Sequence, residues 1–269
     1  MTRSPCNGST GGKLHMKIHF LGVGEACEAR QANTSILLQT APGEGPSRIL
    51  LDCGFSVPPQ YFSLEPDPEG LEILWISHFH GDHFLGTPLL LLWFWEMGRQ
   101  NPLQILGPPG VAEKVTQATD LAYPHLLPRL GFSLLFQALQ PGEVKKIADT
   151  CWQAAYSEHS QPCLSLRLET QDRAVFYSGD GRPTPETRAL AAGSSLIIHE
   201  AYGLENTTPG HGSLATCLEF ARNAGVTRLA LVHMQRHIRP QASTMIERTG
   251  KNYPEIEIML PEQGSTINV

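Results

Sequence analysis

Ser77-His78-Phe79-His80-Gly81-Asp82-His83 is the stretch that decides the fold. Ahead of it, Leu71-Glu72-Ile73-Leu74-Trp75-Ile76 is apolar apart from Glu72 and ends in a β-branched residue, the pattern of a buried strand. The cluster therefore sits where a strand stops. On that geometry His78 and His80, two residues apart, can turn toward one point while Asp82 and His83 reach past it to a second. Neutral imidazole and carboxylate are the ligands expected for zinc or a similar first-row metal, so one short loop can offer ligands to two cations.

Working outward, residues 16–22, 35–39 and 48–54 read as three strands of a meander leading into the metal-loop strand. Asp52, at the end of the third, is expected to brace the metal loop by hydrogen bonding, and Cys53 to be a buried structural thiol. Downstream, residues 84–100 read as the first helix, apolar on nearly every face and so needing cover on two sides. A second copy of the chain and burial within the monomer are both open as the source of that cover. His125, in a Pro-rich irregular stretch, is a candidate substrate contact or a solvated loop residue.

The remaining pattern alternates strands with helices. Strands are expected near 103–107, 132–136, 144–147, 151–157, 164–168, 174–177, 195–198, 228–232, 256–259 and 265–269. Helices are expected at 111–121, 183–192 and 242–248, with another capped by Ser213 and ended by Gly225. His159, Asp180, the pair His199-Glu200 and His233 each follow one of these strands. Asp180 lies between Gly179 and Gly181, where a carboxylate can approach cations without side-chain crowding. Two half-sheets backed by helices, with every chemical residue at a strand end, describe an α/β fold: a four-layered αββα sandwich.

The chain has 269 residues, 41% of them hydrophobic and 17% charged, enough for one sizeable core and too apolar for disorder. Residues 16–269 read as a single domain. Residues 1–15, rich in Gly, Ser and Thr, read as a disordered leader or expression-derived segment ahead of a natural start at Met16. The net charge is −6 and no Lys/Arg cluster forms a stripe, which argues against a large nucleic-acid partner. Six cysteines without a C-x-x-C pair suggest reduced thiols in a cytoplasmic protein. The apolar run from Pro88 to Trp95 is far short of the roughly 20 residues of a membrane span, so no membrane partner is expected.

The string His78-Phe79-His80-Gly81-Asp82-His83 resembles the His-x-His-x-Asp-His signature of the metallo-β-lactamase fold. With Ser77 before it and Gly86 after it, it is most similar to the RNase Z branch, as are Phe20-Leu21-Gly22 and Leu51-Asp52-Cys53-Gly54. The resemblance covers about the whole of residues 16–269. It implies two divalent ions, with His78, His80 and His159 on the first, Asp82, His83 and His233 on the second, and Asp180 bridging. Zinc is expected, although manganese and iron accept the same donors. A redox relative with a carboxylate at the position of His80 would suggest a di-iron electron-transfer site, and the histidine speaks against that.

Such a pair, roughly 3.5 to 4 Å apart, brings a shared bridging water toward hydroxide at neutral pH, and Asp82 is placed to orient it or take its proton. His199-Glu200-Ala201 resembles the His-Glu-Ala-Thr box of that branch, with Tyr202 replacing Thr. His211 resembles the His of its His-Ser-Thr box, although Gly212-Ser213 departs from it. The resemblance implies that Glu200 keeps His211 protonated for the leaving group. RNase Z enzymes carry a long arm that grips transfer RNA between the third His and the bridging Asp; here His159 and Asp180 are joined by a single hairpin. The expectation is a dinuclear metal hydrolase, a phosphodiesterase acting on small or cyclic phosphodiesters. Hydrolysis of a lactone, carboxylic ester or sulfate ester, an RNase Z-type transfer-RNA nuclease, and a metal-bound sensor or scaffold without turnover stay open as alternatives.

Overall fold

The strand before the histidine cluster is β4 (Ile73–Trp75), fully buried and an interior strand of a seven-stranded sheet. This computed structural model describes residues 16–40, 46–171 and 173–269, and the leader expected at residues 1–15 lies outside them. The first sheet is built from β1 (Lys17–Gly22), β2 (Ser35–Gln39), β3 (Arg48–Leu51), β4, β5 (Leu103–Gly107), β6 (Leu134–Ala138) and β14 (Thr266–Asn268), in the order β14-β1-β2-β3-β4-β5-β6. The second contains β7 (Val144–Ile147), β8 (Thr150–Tyr156), β9 (Leu164–Glu169), β10 (Ala174–Tyr177), β11 (Leu196–Glu200), β12 (Arg228–Val232) and β13 (Glu257–Met259), in the order β13-β12-β11-β10-β9-β8-β7.

The sheets face each other through one apolar layer, in which Phe20, Ile36 and Trp75 of the first meet Trp152, Leu166 and Tyr177 of the second. Each sheet turns its other face to helices: α1 (Val57–Leu64), α3 (Thr87–Glu96) and α4 (Val111–Ala122) on the first, α6 (Leu214–Asn223) and α7 (Arg239–Gly250) on the second. A further helix, α5 (Pro185–Ala191), lies against β8 and β9. The αββα sandwich expected from the sequence is the fold observed.

Two expectations need correction. Helix α1 was not legible, because Val57-Pro58-Pro59 reads as a breaker; yet proline is tolerated in a first helical turn, where its missing N–H has no intrahelical partner anyway. With α1 as a crossover, β3 and β4 pair in parallel (Ile49 opposite Ile73, Leu51 opposite Trp75), so the meander stops at β3. The helix expected at 84–100 is the shorter α3, preceded by the one-turn α2 (Gly81–Phe84). They break at Gly86, whose N–H donates to the Cys53 carbonyl at 2.9 Å and where a Cβ would lie 2.0 Å from the Gly54 carbonyl oxygen.

Much of the cover for the apolar α3 comes from within the chain. Leu90, Leu91 and Phe94 bury into the core, Trp93 stacks on Phe62 of α1 with ring centroids 3.7 Å apart, and the Arg129 guanidinium sits over Trp95. Trp93 and Met97 remain exposed on one side. Ser213 caps α6 as expected, accepting from the Thr216 N–H in a capping box. Cys27, Cys53, Cys163 and Cys217 are free thiols. No helix of the described residues is long and apolar enough to cross a membrane.

Strand direction decides where the chemistry goes. β3 to β6 are mutually parallel, as are β10 to β13, and β8 runs with β10 because each is antiparallel to β9. The C-terminal ends of β4, β8, β10, β11 and β12 deliver His78, His159, Asp180, Glu200 and His233 in turn. Ligand sites of α/β sheets form at such carboxyl ends. The Gly54–Gly86 approach holds α2 against the end of β3, so Gly86→Ala forces backbone apart and is expected to destabilise the protein by about 3 kcal/mol in urea denaturation.

Candidate metal centre

Asp52 organises the site. Buried at the end of β3 in a left-handed backbone conformation (φ 60°), its carboxylate accepts the Ser77 N–H at 2.7 Å, the Ser77 hydroxyl at 2.8 Å and the Tyr177 hydroxyl at 2.6 Å. His83 Nδ1 lies 2.8 Å from the same carboxylate. One side chain thus ties β3, the metal loop, α2 and the facing strand β10 together, which extends the bracing role expected for it.

These bonds set tautomers. With Nδ1 of His83 donating to Asp52, its Nε2 is left to face the cleft. The Ser77 hydroxyl proton goes to Asp52, so His78 Nδ1, 2.9 Å away, donates to the serine oxygen and presents Nε2 as a lone pair. His159 Nδ1 donates to the Gly210 carbonyl at 2.7 Å, with the same result. His78 Nε2 then stands 3.0 Å from His80 Nδ1, which stands 3.1 Å from His159 Nε2.

Three imidazole lone pairs converging at hydrogen-bond distance cannot satisfy one another, because a shared proton serves one contact only. A cation serves all three, and that is the physical fit of these residues to a metal. The structure gathers His78, His80, His159 and Asp180 in one group, Asp82, His83 and His233 in a second, and Asp180, His211 and His233 in a third, the ligand atoms of each within 4.8 Å of one another. Asp180 faces both sides: Oδ2 is 3.9 Å from His78 Nε2 and 3.6 Å from His233 Nε2, and Oδ1 is 3.4 Å from His83 Nε2. Buried Asp180 Oδ1 and His233 Nδ1 have no hydrogen-bond partner among the described residues. All seven residues expected as ligands are therefore brought together.

Charge follows geometry. Burial, helped by the neighbouring His83, holds His78 well below the usual imidazole range; burial and His159 lower His80. Both are therefore neutral donors. Burial alone would raise Asp180, but His233 and His83 keep its carboxyl well below the usual range. The same carboxylate outweighs burial at His83, which is raised, and at His233, which is pushed up to about 9.

A second buried carboxylate governs the other wall. Glu200 Oε1 accepts the Gly181 N–H at 2.8 Å and the Gly212 N–H at 2.9 Å and lies 3.1 Å from His211 Nδ1; Oε2 accepts the Tyr202 N–H. Burial works against the His211 cation, yet Glu200 prevails and raises it above its ordinary range. The Tyr202 ring stacks on His211 at 4.4 Å. The cleft, about 290 Å³, is lined by Glu25, His80, Asp82, Asp180, Tyr202 and His211, among others. A larger, mostly apolar cavity beside β8 and α5 contains none of the ligand residues.

His199 turns away, its Nδ1 donating to the Glu200 carbonyl and its ring packed near Phe220. His125 is an exposed loop residue with φ 66° and is absent from the cleft lining. Tyr177 and Glu25 were not singled out in the sequence, and Tyr202 entered only as the residue standing in place of Thr after His199-Glu200-Ala201.

Two facing sheets with a His/Asp cation site at their carboxyl ends define a metallohydrolase-type αββα protein. The sequence pattern of the beta-lactamase superfamily domain matches residues 47–234, and the chain belongs to the metallo-β-lactamase superfamily. It is 30% identical to a ribonuclease Z of Mycobacterium sp. (strain KMS), over 84% of this chain and 86% of the relative. Among solved structures it is similar to the metallo-beta-lactamase fold protein YhfI from Bacillus subtilis, with a TM-score of 0.77 and 21% identity over 95% of this chain and 100% of that one. It is also similar to the short form of human tRNase Z, with a TM-score of 0.72 and 21% identity over 93% and 98% of the two chains.

Asp52→Ala frees His83 and Ser77 together and is expected to lower metal affinity about 10- to 100-fold, read by equilibrium dialysis with elemental analysis. Asp180 and Asp82 push His233 up to about 9, so below that pH a cation entering the site would displace its proton. Metal uptake at neutral pH should release protons into weakly buffered solution, and affinity should fall as pH falls.

Proposed function

We propose that the protein is a dinuclear metal-dependent phosphodiesterase acting on small or cyclic phosphodiesters, with residues 16–269 as one functional domain. The observation that carries this reading is the Glu200–His211 pair, which sets an imidazole of raised proton affinity beside the Asp180/His233 group. His78, His80 and His159 would hold one divalent ion and Asp82, His83 and His233 the other, with Asp180 between; the donor set suits zinc, and also manganese or iron. Bound there, the ions would supply Lewis-acid polarisation of the phosphoryl oxygen and acidify a water.

The chain's own residues do the rest. Asp82 engages His83 and His233 through Oδ2, which leaves Oδ1 to orient a nucleophilic water and accept its proton. His211, with Nδ1 fixed by Glu200, keeps Nε2 to stabilise a phosphoryl oxygen or protonate the departing alkoxide. Tyr202 covers the flat face of that imidazole.

The ribonuclease Z relatives support phosphodiester chemistry. A small substrate is supported by the net charge of −6 and by the short β9–β10 hairpin between His159 and Asp180. The same site could hydrolyse lactones, carboxylic esters or sulfate esters, so these belong in the same assay. A cytoplasmic location remains part of the proposal.

Metal-loaded protein should turn over bis(p-nitrophenyl) phosphate faster than lactone, carboxylic ester or sulfate ester analogues. His211→Ala should lower that turnover about 100-fold with metal content unchanged, whereas Asp180→Ala should lose metal. Equal turnover in the His211 variant would remove it from the mechanism. As an acid, His211 acts protonated, so activity is retained below its raised pKa and declines as pH climbs through it. The His211 variant should lack that alkaline decline.

A further inference from the structure

Behind the cation site, three consecutive residues beyond β10 each reach a different partner. Asp180 stands among the ligand groups, the Gly181 N–H goes to Glu200, and the Arg182 guanidinium turns to the segment that carries His211. The Arg182 backbone is itself fixed. Its N–H donates to the Glu158 carbonyl at 2.9 Å and its carbonyl accepts the Glu158 N–H at 3.1 Å, next to His159 in the chain.

The segment between β11 and α6 has no helix or strand of its own, so its carbonyls need partners from elsewhere. Around His211 its own hydrogen bonds are long: the Gly203 N–H reaches the Gly212 carbonyl at 3.5 Å, and the His211 N–H reaches the Thr208 carbonyl at 3.4 Å. Arg182 adds two more. Its Nη2 donates to the Thr208 carbonyl at 2.8 Å and its Nε to the His211 carbonyl at 3.3 Å, while the Gly210 carbonyl between them accepts from His159. A planar guanidinium can serve two carbonyls at once, which the point charge of a lysine does less well. The ion pair with Glu158 is secondary, at 3.9 Å and with the Glu158 side chain 64% exposed.

We infer that Arg182 is a positioning residue: by holding the carbonyls that flank Gly210, it aims His211 into the cleft and keeps the Gly210 carbonyl on His159. The imidazole expected to donate a proton and a histidine of the ligand groups are then set by one clamp. Glu200 fixes the His211 ring and the Gly212 amide from one side, and Arg182 fixes the backbone from the other. The effect on turnover rests on the hydrolase reading in which His211 acts, but the clamp itself can be tested without turnover.

The experiment is hydrogen–deuterium exchange of the metal-loaded protein, with kinetics on bis(p-nitrophenyl) phosphate alongside. Arg182→Gln should speed amide exchange across residues 203–212 about 10-fold, Arg182→Lys less, and Glu158→Gln not at all. Exchange elsewhere in the chain should stay at the wild-type rate; if Arg182→Gln does not fold, Arg182→Lys carries the comparison. At saturating metal, Arg182→Gln should lower kcat about 10-fold with KM unchanged, since a small misplacement of a reacting group is enough for that. In a His211→Ala background the same substitution should lower kcat less than about 2-fold, because Arg182 acts through His211. Unchanged exchange in the Arg182 variants, or an equal loss of kcat in both backgrounds, would overturn the inference and leave the hydrolase reading standing. Exchange that quickens as expected in a protein without phosphodiesterase activity would establish the clamp and refute the function.

Discussion

The structure depends on burying one carboxylate, Asp52, between the two sheets without leaving any of its lone pairs idle. An isolated ionised carboxylate in an apolar interior costs many kcal/mol, and hydrogen-bond donors aimed at it are what make the burial tolerable. Here a backbone amide, two hydroxyls and an imidazole supply them. Because the donors come from the metal loop, from α2 and from β10, satisfying Asp52 also fixes the spacing between the sheets at the point where their ligands must meet. Burial and the adjacent carboxylate push the Tyr177 hydroxyl well above its ordinary range, so it stays a proton donor in that role.

Glu200 repeats the device on the second sheet. It too is buried at a strand end and spends its oxygens on backbone amides of two glycines, on Tyr202 and on His211. The two carboxylates differ in what they hand on. Asp52 orients a histidine that lies among the ligand groups, whereas Glu200 orients one that is partly open to solvent and tuned to carry a proton. The cleft is thus flanked by a wall built to hold cations and a wall built to hold a proton.

The gathering of the seven His and Asp residues was legible because they lie in short strings at strand ends, and strand ends are what alternation and glycine placement reveal. The sandwich followed for the same reason. What escaped were features that depend on distance in space. Helix α1 hid behind Pro58-Pro59, and with it the parallel pairing of β3 and β4. The break at Gly86 reflects the approach of the Gly54 backbone, which no local pattern encodes. Tyr177 reaches Asp52 across 125 residues of sequence, and Glu25 meets Arg236 across 211. Pairings so remote leave no periodic trace.

Backbone strain shows where the sequence has been bent to the site. Non-glycine residues avoid the left-handed region, at a cost of order 1 kcal/mol or more, unless the surroundings hold them there. Four described residues adopt it, and two of them, Asp52 and His233, sit at facing strand ends and bound the second ligand group from opposite sheets. Asp52 is held by its hydrogen bonds. His233 is held by its N–H to the Val23 carbonyl and by the carboxylates of Asp82 and Asp180. Carboxylates and protonated imidazoles can balance one another in this cluster, but only by keeping protons on groups that burial would strip of them. A divalent cation held by His78, His80, Asp82, His83, His159, Asp180 or His233 would supply that balance, with the imidazoles as neutral donors. The left-handed turn at His233 and the unpartnered oxygen of Asp180 would then be parts of one arrangement, completed by a bound ion.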